Sequence, residues 1–319
     1  MSGPQNVTVS RDEAGMRLDR WFKSHYPQLS HVQLQKLLRK GQVRVDGGRV
    51  QASRRLEKGE TVRVPPMDDR PAPVPRALPR EEARAEIAKM TVFEDKDILV
   101  LNKPFGLAVQ GGAKTKRHVD GLLAAAGAEM PYARLVHRID KDTGGLLVTA
   151  KTRKAAQWLT DAFRARDVDK EYWALVKGVP QPLEGRIDAA LEKSGPQGGE
   201  KARASDSGQR AISDYQVIEM AAQRASFVAL RPITGRTHQL RAHMALIGTP
   251  IVGDGKYGGA EAKVEGLPPK MHLFCRRLTI PRPGQRPLVV TAPLTGHMAD
   301  TWKLFSFSKD VRPEWPELS

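Results

Sequence analysis

The stretch HRIDKDTGGLLV, His137 to Val148, gathers charged, small and apolar residues in an order that suggests a cleft built on a sheet. RLVHRID reads as a buried strand ending at Asp140, Thr143-Gly144-Gly145 as a glycine-rich turn, and LLVTA as a second apolar strand. Side chains at strand ends beside such turns commonly line clefts, because the scaffold holds them still. At this level an ordinary charged hairpin looks the same, with Arg138 and Asp140 forming an exposed pair worth under about 1 kcal/mol.

Three familiar chemistries fail on spacing. Asp140-Lys141-Asp142 has the paired carboxylates of an aspartyl-phosphate enzyme, but haloacid-dehalogenase-like phosphatases carry Thr or Val where Gly144 stands, and GDGKYGG offers Asp254 without a second acid for magnesium. GLAVQGGAKT, Gly106 to Thr115, approximates a phosphate-binding loop, yet Gly112 occupies the place of its lysine. His238 and His243 lie about 140° apart around a helix, unlike the four-residue spacing of a zinc pair. The single cysteine, Cys275, cannot form an intrachain disulfide or a Cys-rich zinc site, and in FCRRL it reads as a small packed group. No metal, nucleotide or redox cofactor is expected. A carboxylate among basic residues suits a redox-neutral reaction with covalent catalysis by that carboxylate.

Around this stretch, ILVLNKP, EYWALVKG and SFVALRPI read as strands, the second placing Tyr172, Ala174 and Val176 on one face. Thr152 is expected to cap a helix with Ala155, Leu159 and Phe163 on its apolar side. Thr237 is expected to cap HQLRAHMALIG, which Gly248 ends. SGPQGGEKARASDSGQR reads as a mobile loop or hairpin tip. Upstream, PPMDDRPAPVPRALPR holds 6 prolines between Pro65 and Arg80, which favours a semi-rigid linker. The expected division is a small domain over 1–64, a linker over 65–90 and a larger domain over 91–319. In the small domain, Leu18, Trp21 and Phe22 mark one helix; Ser30 caps a second that carries Leu34, Leu37 and Leu38 and ends at Gly41; QVRV and TVRV are strands, with an Asp46-Gly47 turn.

The 319 residues carry a formal net charge of +16, which points to a polyanionic partner. Residues 1–64 hold 13 Lys/Arg against 6 Asp/Glu, so +7 is concentrated in a fifth of the chain and +9 lies beyond. The longest nearly apolar run, Gly121 to Ala128, is far short of the roughly 18 residues a membrane-spanning helix needs. No lipid-facing amphipathic stretch with aromatic anchors is evident, and the first residues do not read as a signal peptide, so no membrane partner and a cytoplasmic location are expected.

RLDRWF, LSHVQLQKLLRKGQVRVDGGRV and KGETVRV resemble the S4-type RNA-binding domain, with His31 where an arginine is frequent. The resemblance makes Arg39, Lys40, Arg44, Arg54 and Arg55 candidate phosphate contacts, which set position and affinity rather than sequence choice. Farther on, LNKPFGLAVQGG, LVHRIDKDTGGLLVTAKT, KEYWALVKG and LRPITGRTHQLRAHMALIGTPIVGDGKYGG occur in the order found in pseudouridine synthases of the RluA family. AVQGG is most similar to the RluC-type branch, which modifies large-subunit (23S) ribosomal RNA. The departures are Ile139 for leucine, Gly144 for serine and Gln110 for histidine.

This resemblance implies an α+β protein, a small S4-like domain joined to a catalytic domain built on a mixed, mainly antiparallel sheet with flanking helices. It implies an isomerase that converts uridine to pseudouridine without a cofactor; a monomer is expected. Asp140 becomes the nucleophile, attacking either the uracil ring or the ribose. Arg138 fills the space left by the extruded base, Tyr172 stacks on the base, and Arg236 is the basic partner of Asp140, favouring its charged form. Lys103 is a further candidate for substrate contact. Other ribosomal sites, transfer RNA, and a noncatalytic S4-type assembly factor remain as alternatives.

Overall fold

A computed structural model describes residues 3–26, 28–29, 31–66, 78–111, 115, 117–127, 134–194 and 201–315. Ser30, the expected cap, most of the proline-rich stretch and the loop tip at 195–200 lie outside the described residues. Two compact units emerge, Met1–Ala77 and Leu78–Ser319.

The first unit carries β1 (Gln5–Thr8), α1 (Leu18–His25), α2 (His31–Arg39), β2 (Arg44–Val45) and β3 (Thr61–Val64). Its sheet has the order β1-β3-β2. Leu18, Trp21 and Phe22 bury one face of α1 against Leu34, Val43, Leu56 and Val62. Asp46 and Gly47 both take positive φ, 47° and 75°, as a tight hairpin turn requires. The turn nevertheless joins no regular hairpin: beyond a single bridge between Val45 and Gly48, β2 pairs with β3 instead.

The second unit begins with α3 (Arg80–Met90), β4 (Thr91–Glu94), β5 (Ile98–Lys103), α4 (Val119–Ala126), β6 (Arg134–Leu135) and β7 (Gly144–Ala150). It continues with α5 (Arg153–Ala165), β8 (Asp169–Lys177), β9 (Glu184–Asp188), β10 (Leu191–Ser194), β11 (Lys201–Ala204), β12 (Ile212–Ala221) and β13 (Ala225–Pro232). It closes with α6 (Gln239–Leu246), β14 (Leu273–Arg282), β15 (Gln285–Thr291) and α7 (Gly296–Leu304).

The main sheet runs β4-β5-β7-β14-β8-β13-β12-β9, with β15 added on β14 and β6 on β7. β7 and β14 pair in parallel through Phe274 opposite Gly144 and Cys275 opposite Gly145, whereas the other pairings are antiparallel. The sheet is therefore mixed and mainly antiparallel. Both faces of β7 are covered, which is why GGLLVTA reads as an unbroken apolar run. Leu147 faces α3 and α4, while Leu146 and Val148 face the core that includes Leu159, Trp173 and Trp302.

Three local expectations are corrected. The linker expected over 65–90 ends earlier, because Ala83, Ile87 and Met90 bury one side of α3 in the second unit. RLVHRID forms strand only at Arg134–Leu135; Val148 N–H donates to the His137 ring at 2.8 Å, fastening the following segment to β7 as a loop. Thr237 does not cap α6: His238 holds that position with φ 53° and ψ 23°. By contrast, Thr152 caps α5 by accepting from Ala155 N–H at 3.0 Å.

Candidate active site

Asp140 stands just before β7, beside the place where the two parallel strands meet. That meeting is close: a Cβ on Gly145, whose φ is +98°, would lie 2.2 Å from the Cys275 carbonyl oxygen. A Cβ on Gly144 would meet the Phe105 ring at 2.7 Å, so the departure from serine makes room for Phe105 and Phe274. Thr143 N–H donates to the Asp140 carbonyl at 3.2 Å and closes the turn.

The Asp140 side chain is 24% exposed, and its Oδ2 lies 3.2 Å from the Arg241 guanidinium and 3.6 Å from His238 Nε2. Among the described residues, Oδ1 receives no hydrogen bond, and the side chain remains partly exposed. Arg241 is in turn gripped by Asp254, with Nε at 2.7 Å and a terminal nitrogen at 2.8 Å from the two carboxylate oxygens. Backbone N–H groups of Lys256 and Tyr257 donate to Asp254 as well, at 3.0 and 3.2 Å. Burial opposes the Arg241 charge, but the Asp254 hydrogen bonds and the charges of Asp254 and Asp140 outweigh it and raise its pKa above the ordinary arginine value. A permanent cation thus faces the candidate nucleophile, fixed by a bidentate bond of the kind only arginine makes.

The basic partner of Asp140 is therefore Arg241, not Arg236. Arg236 precedes α6, and its Nε donates to the Arg210 carbonyl at 3.1 Å. Lys103 is also corrected as a substrate contact. It is fully buried, and its Nζ donates to the carbonyls of Pro104, Leu107 and Lys141 at 3.0, 2.8 and 3.0 Å. Burial pushes its pKa down to about 7, against the pull of Asp142 and Asp140. Lys103 ties the Pro104–Leu107 turn to the loop after Asp140.

Tyr172 lies opposite Leu230 and Cys275 in the sheet. Burial raises its pKa well above that of an ordinary phenol, with Cys275 and the Asp140 charge adding to the rise, so the ring is neutral and near the carboxylate. Cys275 is fully buried, its thiol pushed up to about 12 by burial. Arg138 is exposed and has no ion-pair partner among the described residues, so the surface pair with Asp140 does not form.

In the first unit, Arg39 and Lys40 are exposed at the end of α2. Arg44 donates to the carbonyls of Gly41 and Gly47 at 3.1 and 3.2 Å, Arg55 to that of Gly15 at 2.7 Å, and Arg54 pairs with Glu60. Arg54 is thus the least available of the five for a phosphate. Among the described residues no group of three His, Cys, Asp or Glu side chains could hold a metal ion. No helix among them is long and apolar enough to cross a membrane.

The site missed in the sequence comprises Arg241, His238, Asp254 and Tyr257. Its available signal was the three-residue interval between His238 and Arg241, which puts both on one side of a helical turn. Residues 16–62 match the S4 domain and residues 97–246 match the RNA pseudouridylate synthase family. A curated relative from Escherichia coli O6:H1, "Ribosomal large subunit pseudouridine synthase C", is 37% identical over 256 residues, spanning 80% of each chain. A protein of the same name from Pasteurella multocida is 35% identical over 301 residues, 92% of this chain and 91% of that one. Among solved structures, "Human RNA Pseudouridylate Synthase Domain Containing 4" superposes with a TM-score of 0.59 at 27% identity, covering 71% of this chain and 96% of that one. With its Asp140 turn, its S4 segment and these relatives, the chain belongs to the RNA pseudouridylate synthase family.

Proposed function

We propose that the protein isomerises specific uridines of large-subunit ribosomal RNA to pseudouridine, with Asp140 as the nucleophile. The observation that carries this reading is the Asp140 carboxylate itself, held at Oδ2 by Arg241 and free of hydrogen bonds at Oδ1 among the described residues, with the partly buried Tyr172 within reach of its charge. Target uridines must leave the base stack, at about a few kcal/mol each. Asp140 bonds to the extruded uridine, at the uracil ring or at the ribose, and the N1–C1′ bond breaks. The uracil turns, C5 bonds to C1′, the bond to Asp140 is released with its electron pair returning to the carboxylate, the C5 proton leaves and N1 gains one, so nothing enters or leaves overall. Arg138, exposed and without an ion-pair partner among the described residues, occupies the vacated stack, while Tyr172 packs on the base. Arg39 and Lys40 of the S4 segment contact phosphate, as do Arg44 and Arg55 with their remaining donors.

The choice of large-subunit RNA rests on the names of the relatives and on the S4 segment. Mapping pseudouridine in ribosomal and transfer RNA from cells lacking the gene tests it. Sites should disappear from large-subunit ribosomal RNA; loss confined to transfer RNA would refute this substrate.

A further inference from the structure

Resting on the reading of Asp140 as nucleophile, we infer that His238 is a positioning residue for the Asp140 carboxylate, held by a hydrogen-bond chain running through Tyr257 to the β11 backbone. His238 sits in the left-handed region, φ 53° and ψ 23°, which residues with a side chain rarely adopt. Such strain persists where the surroundings over-determine it, and here they do. Ala202 N–H donates to the Tyr257 hydroxyl oxygen at 2.6 Å, and that hydroxyl lies 3.0 Å from His238 Nδ1. The Arg241 guanidinium lies over the Tyr257 ring, 5.1 Å from its centroid, so the tyrosine is braced from two sides.

Donor accounting fixes the tautomer. Among the described residues, Nδ1 is the acceptor within reach of the Tyr257 hydroxyl proton, so Tyr257 donates to it while its oxygen accepts from Ala202. The imidazole proton is then on Nε2, the nitrogen that faces Asp140 Oδ2 at 3.6 Å. The opposite tautomer would set a nitrogen lone pair against a carboxylate oxygen. Burial, helped by Arg241 and Lys256, lowers the His238 pKa in spite of the Asp140 charge, which keeps the ring neutral and the arrangement intact. At 3.6 Å this is an electrostatic contact rather than a formed hydrogen bond, of the kind that tightens when substrate arrives. Arg241 and His238 thus converge on Oδ2 from residues three apart, and the rotamer they select leaves Oδ1 for the uridine. The anchor at Ala202 makes the seating of the β10–β11 hairpin a condition of that rotamer.

Two substitutions separate this role from a local structural one. Gln places an amide nitrogen where His238 has Nε2, whereas Asn reaches only to the Nδ1 position but tolerates the left-handed backbone best. On unmodified 23S transcript, His238→Gln should retain at least about tenfold more kcat than His238→Asn, with KM for the RNA within about threefold in both. Tyr257→Phe, which leaves the His238 backbone alone, should lower kcat about tenfold at unchanged KM. A structural role predicts the reverse order, Asn at or above Gln with losses tracking thermal stability; that result, or a wild-type kcat in Tyr257→Phe, overturns the inference. A wild-type enzyme that makes no pseudouridine overturns the proposed function instead.

Discussion

Asp254→Asn isolates the second carboxylate of the site, which holds Arg241 and is itself shut away from solvent. The Asp254 side chain is fully buried and that of Arg241 is 9% exposed, so solvent screens little of their interaction. Removing one partner of a buried, hydrogen-bonded pair leaves the other charge uncompensated and destabilises by about 3–5 kcal/mol. For a unit of this size each kcal/mol lowers Tm by roughly 2–4 °C, so the expected fall is about 6–20 °C. Product formation should fall as well, because Arg241 loses its bidentate anchor and Asp140 Oδ2 loses a fixed cation. The double variant Arg241→Met/Asp254→Leu replaces the pair with apolar groups. It should recover most of the stability, less about 1–2 kcal/mol for the Lys256 and Tyr257 N–H groups left without their acceptor. It should not recover activity. Calorimetry paired with single-turnover pseudouridine assays makes the comparison. An Asp254→Asn cost under about 1 kcal/mol with kcat intact would refute the reasoning, and so would an active double variant.

Lys103→Met strands three carbonyls and should destabilise the second unit by about 1–3 kcal/mol while lowering kcat, seen by denaturant titration and the same assay. Gly145→Ala should prevent stable folding, since the added methyl meets backbone that cannot give way, whereas Gly144→Ala meets only side-chain rings and should yield a folded, less stable protein by circular dichroism. His272 is fully buried, and burial together with His297 pushes its pKa to about 4, from an ordinary 6.5. The unfolded chain therefore takes up that proton first, so stability is full above pH 6.5 and falls by about 3 kcal/mol as pH drops to 4; His272→Asn should flatten this slope in pH-dependent unfolding. With about six phosphate contacts, log affinity for RNA should fall against log salt with a slope of about −4 to −5. A flat salt response would contradict the docking role of the basic residues.

Patterns repeated along one element were legible in the sequence. The alternation in EYWALVKG placed Tyr172, and Thr152 marked the start of α5, because each depends on neighbours within a few residues. Asp140 stood out through the turn that follows it. Choosing Arg241 over Arg236 needed the docking of Leu240 and Met244 on β8 and β13, a long-range packing event that aims one arginine inward and leaves the other off the helix. The left-handed His238 was hidden for the same reason, since Thr237 is the better cap by composition alone. The signal of α3 was present in Ala83, Ile87 and Met90, but the prolines before it masked the periodicity. β1, with its polar QNVT, carries no strand pattern at all and is held by pairing to β3.

The most direct test of the account incubates the protein and its Asp140→Asn variant, nearly identical in shape, with unmodified 23S transcript and quantifies pseudouridine by mass-sensitive labelling. The wild type should convert discrete uridines, and the variant should bind the RNA with similar affinity and form no product. Pseudouridine formed by the variant at a wild-type rate would contradict the central claim that this carboxylate is the nucleophile.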